Sequence, residues 1–479
     1  MRFWTHRRVR RVTVISIGSA AFLGGVGLVR IGLTASISVA IAGLLCFVLC
    51  RRKVALVAVP AVIVGGLLIG LWRGSVVDQQ LDWYRQSVNQ KVSLTGTVTQ
   101  DCTYGTKKQM DCMIGNVRTG DHSLPGTVRV TTFSPVEPKQ GDVIRATAKL
   151  KPGFGSYQAG LYFADVSVVS HGDSWLGQMR RHFSATILSI ISEPQASLGL
   201  GFLLGIKSQL PDELVDQLKI VGLTHIVVAS GYNLTILVRA ARRLLVERSK
   251  YQATLASVLL MAGFLGATGF SPSMSRAALV TSLSLAAWYY GRVIHPMLLL
   301  LFSAAVTAAI NPLYVWGDLG WYLSFLAFGG VMLLAPVVQK RLCGDRSPPQ
   351  LVQILIETVC AEIATIPLVL FVFGGVSVIG LLANVLVTPL VPLAMLATFV
   401  AGAAAWAWPG FGSWLALPAQ WLLNYMTYAV GELAAFPWAY QIVQINAPSM
   451  VALYALAVAC GWAMYRASKY SYLNRGLVE

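Results

Sequence analysis

Residues 222–238 read Gly-Leu-Thr-His-Ile-Val-Val-Ala-Ser-Gly-Tyr-Asn-Leu-Thr-Ile-Leu-Val. The stretch is apolar enough for a bilayer, yet it carries Thr224, His225, Ser230, Asn233 and Thr235. Each unpaired polar group in hydrocarbon costs several kcal/mol, so a plain lipid-facing anchor would not hold so many. Ser230-Gly231 in mid-span also weakens the helix, because Gly favours non-helical backbone. A broken helix at membrane depth survives only inside protein or beside a water-filled cavity. The segment therefore predicts a polar path through a membrane protein.

The rest of the chain supports that reading. Of 479 residues, 56% are hydrophobic and only 12% charged, against about 25% charged in soluble domains. Many runs reach the ~20 apolar residues that span hydrocarbon. The expected fold is a polytopic α-helical membrane protein with about 11–12 spans plus broken or re-entrant helices. The net charge of +17 is concentrated beside spans. Arg2, Arg7, Arg8, Arg10 and Arg11 precede the first, and Arg239, Arg242, Arg243, Arg248 and Lys250 follow the polar stretch. The positive-inside rule explains that excess, so basicity alone says little about nucleic acid.

Three spans come first, near 12–29, 32–49 and 54–72. The basic residues around them place the N-terminus in the cytoplasm, and the clusters at 340–346 and 466–475 place the C-terminus there too. The N-terminal basic and apolar run is read as a first span rather than a cleaved signal, since two more apolar runs follow. Residues 78–172 change to short alternating stretches such as Val92-Ser93-Leu94-Thr95-Gly96-Thr97-Val98. Five or so strands there predict a small extracellular OB-like β-barrel inserted after the third span. With ten Lys or Arg against eight Asp or Glu, it is nearly neutral, and its aromatics form no obvious stripe. Cys102 and Cys112 lie ten apart without Cys-x-x-Cys spacing, so a disulfide and free thiols are both open.

Residues 173–221 read as an amphipathic helix followed by a re-entrant element in Gly-Leu-Gly-Phe-Leu-Leu-Gly-Ile-Lys-Ser-Gln-Leu-Pro (199–211), then a short helix after Pro211. The domains expected are thus 1–77 (three spans), 78–172 (barrel), 173–221, 222–466 (transmembrane channel domain) and 467–479 (tail). The run at 378–407 is too long for one simple span, and 378–390 is read as a second broken element before Pro389 and Pro392.

Ionisable and amide groups inside apolar runs are expensive and usually functional. Here they are His225, Asn233, Arg276, Asp318, Glu357, Glu362 and Asn384. The segments that hold them resemble the competence domain of the ComEC family of DNA-uptake channels. Residues 201–211 resemble its leucine-rich Gly-Asp-Arg loop, and 222–238 its Gly-x-Ser-His … Ser-Gly-x-His signature. Gly-Phe-Ser-Pro-Ser-Met-Ser-Arg-Ala-Ala-Leu (269–279) resembles the segment with an intramembrane Arg. Gly-Asp-Leu-Gly-Trp-Tyr-Leu-Ser-Phe-Leu-Ala (317–327) and residues 364–391 resemble two further motifs. Two departures stand out: Asn233 occupies the usual His position, and Ile206-Lys207 that of Asp-Arg. Asn keeps hydrogen-bonding capacity but does not titrate.

The resemblance implies an inner-membrane channel passing single-stranded DNA during natural transformation. Lys207, His225 and Arg276 would attract phosphates, while Ser230, Tyr232, Asn233 and Asn384 would replace water along an unwound path at Gly231. Asp318, Glu357 and Glu362 would repel DNA if bare, so at least one is expected to pair with Arg276. The sequence runs to Glu479 without a His-x-His-x-Asp-His run, so the form expected lacks the metallo-β-lactamase-like domain. No P-loop, metal-ligand spacing or cofactor motif occurs, and no enzymatic activity is expected. The partners implied are single-stranded DNA, membrane lipid, a DNA receptor, a separate nuclease, and a cytoplasmic ATPase or single-strand-binding protein. Two other readings exist. Ala229-Ser230-Gly231 superficially suits an intramembrane serine hydrolase, but His225 and Ser230 lie about 140° apart on one helix. A transporter of another polymer or solute shares broken helices and midplane polar groups, though no inverted repeat is visible.

Overall fold

The computed structural model describes residues 10–49, 59–104, 109–120, 122–134, 136, 138–153, 155, 157–172, 175–206, 208–227, 231–247, 249–268, 272–292, 294–344, 346, 348–468 and 470. The chain divides into two compact units. Seven helices among the described residues are long and apolar enough to cross a membrane. The molecule is a polytopic helical membrane protein carrying an inserted barrel. The other expected spans correspond to helices that are shorter or less apolar.

The first unit holds residues 1–173 and 291–322. Its helices are α1 (Arg11–Leu28), α2 (Ile37–Leu49) and α3 (Val59–Gln86), joined later in the chain by α11 (Pro296–Ile310) and the short α12 (Leu313–Gly317). Arg73 on α3 donates to the Ala309 and Ile310 carbonyls at 2.8 and 3.0 Å. These are end carbonyls of α11, which have no intrahelical partner. The indole N–H of Trp316 donates to the Val26 carbonyl at 2.8 Å.

Four residues after α3 the barrel begins. Its strands are β1 (Lys91–Val98), the short β2 (Thr103–Tyr104), β3 (Met110–Thr119), the short β4 (His122–Ser123), β5 (Val128–Thr132), β6 (Val143–Pro152), β7 (Ala159–Leu161) and β8 (Asp165–Ser170). The five principal strands run β1-β3-β5-β7-β6, and β6 pairs back to β1 over seven residues, so the sheet closes. Among the described residues, only the β5–β7 pair is parallel. This is a closed, OB-like barrel of five strands. The period-two alternation is visible in burial: Leu94 and Val98, then Ile144, Ala146, Ala148 and Leu150, fill the interior. Cys102 and Cys112 are joined by a disulfide that ties the β1–β3 connection to β3. Asp111 on β3 accepts from Arg129 (2.8 Å) and Thr131 (2.6 Å) of the neighbouring β5. Phe133 and Phe163, 55% and 73% exposed, stack at 5.9 Å on the surface.

The buried Asp142 carboxylate closes the barrel's far loops. It accepts from the backbone N–H groups of Lys139 (3.0 Å) and Gly172 (2.9 Å) and lies 3.5 Å from His171. Burial opposes ionisation, yet those hydrogen bonds outweigh it and hold the carboxyl below its ordinary range.

The second unit holds residues 174–290 and 323–475. It begins with α4 (Trp175–Ile190) and α5 (Gln195–Leu204), a helix buried on almost every side. Then come α6 (Asp212–Ile220), whose first turn carries Asp212 and Glu213, α7 (Thr224–Val227) and α8 (Gly231–Leu245). Acidic residues there suit the positive end of the helix dipole. α9 (Lys250–Thr268) and α10 (Pro272–Tyr289) follow. α13 (Leu319–Gly329) starts in the first unit and runs through a π turn (Gly330–Leu334) into α14 (Ala335–Cys343). α15 (Gln350–Phe373) leads through β9 (Gly375–Ser377) to α16 (Gly380–Val387). A 3-10 turn (Thr388–Leu390) connects α16 directly to α17 (Val391–Ala407). The break expected at 378–390 is therefore a tightened turn inside a 28-residue helical path, since Pro389 removes one N–H without reversing the chain. α18 (Pro409–Ala434), β10 (Tyr440–Ile442) and α19 (Ala447–Ser468) complete the unit, with β10 paired to β9.

Candidate functional site

Three polar residues of the second unit, Asn233, Arg276 and Asn384, lie inside it. Arg276, in the first turns of α10, is 2% exposed, and its guanidinium carbon stands 5.7 Å from the centre of the Phe325 ring on α13. A cation over an aromatic face is attracted by the ring quadrupole. Removing a guanidinium from water still costs several kcal/mol, so an arginine this deep is held there by its surroundings.

Next to it, α8 comes unusually close. A Cβ added at Gly231 would sit 2.7 Å from the Ala277 Cβ, so only glycine permits this approach beside Arg276. The Gly231 carbonyl accepts from the Thr235 hydroxyl at 2.8 Å. Residues 228–230, between α7 and α8, lie outside the described residues. Ser230 and Lys207 lie outside the described residues, as does the side chain of Tyr232.

Asn233, one turn further on, is completely buried and donates from its side-chain amide to the Phe202 carbonyl at 3.2 Å. Phe202 is in the last turn of α5, where carbonyls lack intrahelical partners. Asn233 thus pins α8 to the end of α5. The amide does this without a titrating proton. His225 is exposed at the end of the short α7, with its Nδ1 3.0 Å from the Gly222 carbonyl.

A second cluster joins α15 and α16. The Asn384 side chain lies beside the Glu362 carboxylate. The Asn384 oxygen in turn accepts from the Thr388 hydroxyl at 3.2 Å. Glu357, a turn before Glu362, faces outward and accepts from Gln353 at 2.8 Å. On the far side of α15, a Cβ at Gly330 would meet the Cys360 carbonyl at 2.3 Å, so the π turn packs backbone to backbone. Asp318 belongs to the first unit. It is buried, and its Oδ1 accepts from the Trp321 N–H, capping α13 as an N-cap carboxylate does. The three contacts of Arg276, Asn233 and Glu362 run to Phe325, Phe202 and Asn384. Of these partners, the sequence singled out only Asn384. The i, i+4 spacing of Asn384 and Thr388 was the available signal for the third member; the Phe202 carbonyl carried none. No group of three or more metal-binding side chains occurs among the described residues.

A helical membrane domain with buried arginine, amides and carboxylate, joined to a closed small barrel, defines the class. The family model described as Competence protein matches residues 202–469, more than half of the chain, and the chain belongs to that family. It is similar to ComE operon protein 3 of Bacillus subtilis (strain 168), 22% identical over 287 residues. That match covers 58% of this chain and 35% of the relative, so the chain corresponds to about a third of that protein's length. No solved structure matches the chain.

Proposed function

We propose that this protein carries single-stranded DNA across the inner membrane during competence. The observation that carries the reading is the buried polar set of Asn233, Arg276 and Asn384 inside the family-matched region. A polyanion crossing hydrocarbon requires a lined path with cationic and hydrogen-bonding groups. Arg276 supplies charge near the α8–α10 approach, with Lys207 as a further cation and His225 as a polar partner. Ser230, Gly231, Tyr232, Asn233 and Asn384 supply polar partners. Glu362, engaged by Asn384, is kept from presenting a bare carboxylate to phosphates; Asp318 is engaged as a helix cap. In this reading both termini are cytoplasmic and the barrel faces outward, the compartment in which its disulfide persists. The driving force and strand processing belong to partners: a receptor outside, a separate nuclease, and an ATPase or single-strand-binding protein inside.

The test is complementation of cells lacking the native gene, followed by entry of end-labelled DNA into a nuclease-protected pool. The reading expects one labelled strand to become protected. Protection of neither strand, with the chain correctly inserted, contradicts it.

A further inference from the structure

The site above leaves unused a cavity of about 220 Å³ in the first unit. It is lined by Arg30 just beyond α1, Tyr84 and Arg85 in the last turn of α3, Lys151 and Tyr157 from the barrel, and Trp316 of α12. Drug-sized sites run to roughly 300–1,000 Å³, so this one takes a single monomer unit of something larger. Its wall combines cations with three aromatic rings. Arg85 is already balanced by Asp78 and Asp82, at 2.5 and 2.8 Å. Lys151 donates to the neutral Asn89 oxygen at 3.0 Å, and Arg30 is exposed. The remaining positive charge on the wall is therefore that of Arg30 and Lys151. Tyr84 is 4% exposed, and its hydroxyl has no hydrogen-bond partner among the described residues. A buried hydroxyl is ordinarily satisfied, and the cavity its side chain lines is where a ligand can approach it.

Depth argues for the kind of ligand. The apolar run of α3 ends at Trp72, and Arg73 to Gln86 is largely polar. Eleven residues separate Arg73 from Tyr84, about 16 Å of helix at 1.5 Å per residue. The headgroup layer is roughly 5–8 Å deep on each side. The cavity wall built by Tyr84, Arg85, Lys151 and Tyr157 thus stands beyond the headgroups, at the base of the barrel.

We propose that this cavity binds one nucleotide unit of the incoming strand. Its base stacks on the half-buried rings of Tyr157 and Trp316 beside the Tyr84 hydroxyl, and its phosphodiester faces Arg30 and Lys151. Stacking on aromatic rings is sequence-tolerant and suits a single strand. The proposal rests on the DNA-translocation reading.

The test uses the purified full chain in detergent and a fluorescent oligothymidine, with anisotropy read at about 50 and 200 mM salt. The double variant R30Q/K151Q is expected to bind about tenfold more weakly, with a salt slope shallower by about 0.7, because one phosphate is no longer neutralised. Tyr84→Phe keeps the packing and is expected to weaken binding about threefold, from the lost contact; it carries the test if the double variant fails to fold. Wild-type binding with unchanged affinity in both variants overturns the cavity and leaves the translocation reading standing. Absence of wild-type binding at either salt overturns the DNA reading and the cavity together. Retained phosphatidylglycerol lost in R30Q/K151Q by native mass spectrometry, with unchanged oligonucleotide affinity, assigns the cavity to a lipid headgroup and overturns the proposal.

Discussion

The barrel and the second unit place their polar groups in opposite ways. In the barrel, alternate residues of β1 and β6 turn inward as Leu94, Ile144, Ala146 and Leu150, while charged partners such as Arg129 and Asp111 lie between strands near the surface. In the second unit, many large apolar side chains face outward, among them Leu259, Leu396 and Trp421, and Arg276, Asn233 and Asn384 are inside. Solvent explains the inversion. Water rewards polar groups on the barrel surface, whereas hydrocarbon offers them nothing, so they go where protein or an enclosed path satisfies them.

The comparison is broken most severely at the close approaches of the second unit. Gly330→Ala puts a Cβ onto the Cys360 carbonyl, backbone against backbone. It is expected to destabilise that unit by about 3 kcal/mol, as overpacking does, read as a lower thermal transition in detergent. The barrel's counterpart is its staple. Cys112→Ser opens the Cys102–Cys112 bond and is expected to cost about 3 kcal/mol for a loop of this length. The effect should appear as increased proteolysis within 78–172 and leave the helices protected. Asn384→Leu keeps the branched shape but removes the amide beside Glu362 and the acceptor of the Thr388 hydroxyl. A loss of about 1–3 kcal/mol is expected, because a half-buried carboxylate loses its polar neighbour and a hydroxyl its acceptor. Double-variant coupling with Glu362→Gln checks it; strict additivity would show the contact to be idle.

The smallest effect sharpens the contrast through pH. Asp142 has a depressed folded pKa, so its stabilisation is complete above the unfolded value near 3.9 and is lost as pH falls below it toward the folded value. Barrel unfolding should therefore gain a pH dependence below about pH 4 that Asp142→Asn reduces. A profile identical in the variant would place the acid sensitivity elsewhere.

Much of this was legible in the sequence because period and hydropathy report which face is buried. The alternation in 92–98 predicted a strand, and the structure places β1 there. Partners were not legible. Nothing in the spacing of Glu362 and Asn384, or of Asn233 and Phe202, says that they meet, since each pair is joined only by how helices pack. The aromatics of the barrel show no stripe in sequence because Phe133 and Phe163 come from different connections. The broken element expected at 378–390 is the short α16, which a 3-10 turn at Thr388–Leu390 separates from α17.

The central claim is that a buried arginine serves a DNA path rather than packing alone. The most direct measurement compares DNA uptake by cells carrying the wild-type chain, Arg276→Lys and Arg276→Ala, each checked for expression and insertion. The account predicts uptake by the wild type, a partial level with lysine, and a fall of about 100-fold or more with alanine, because lysine keeps the charge but not the planar guanidinium. Uptake by a correctly inserted Arg276→Ala protein equal to that of the wild type would contradict it.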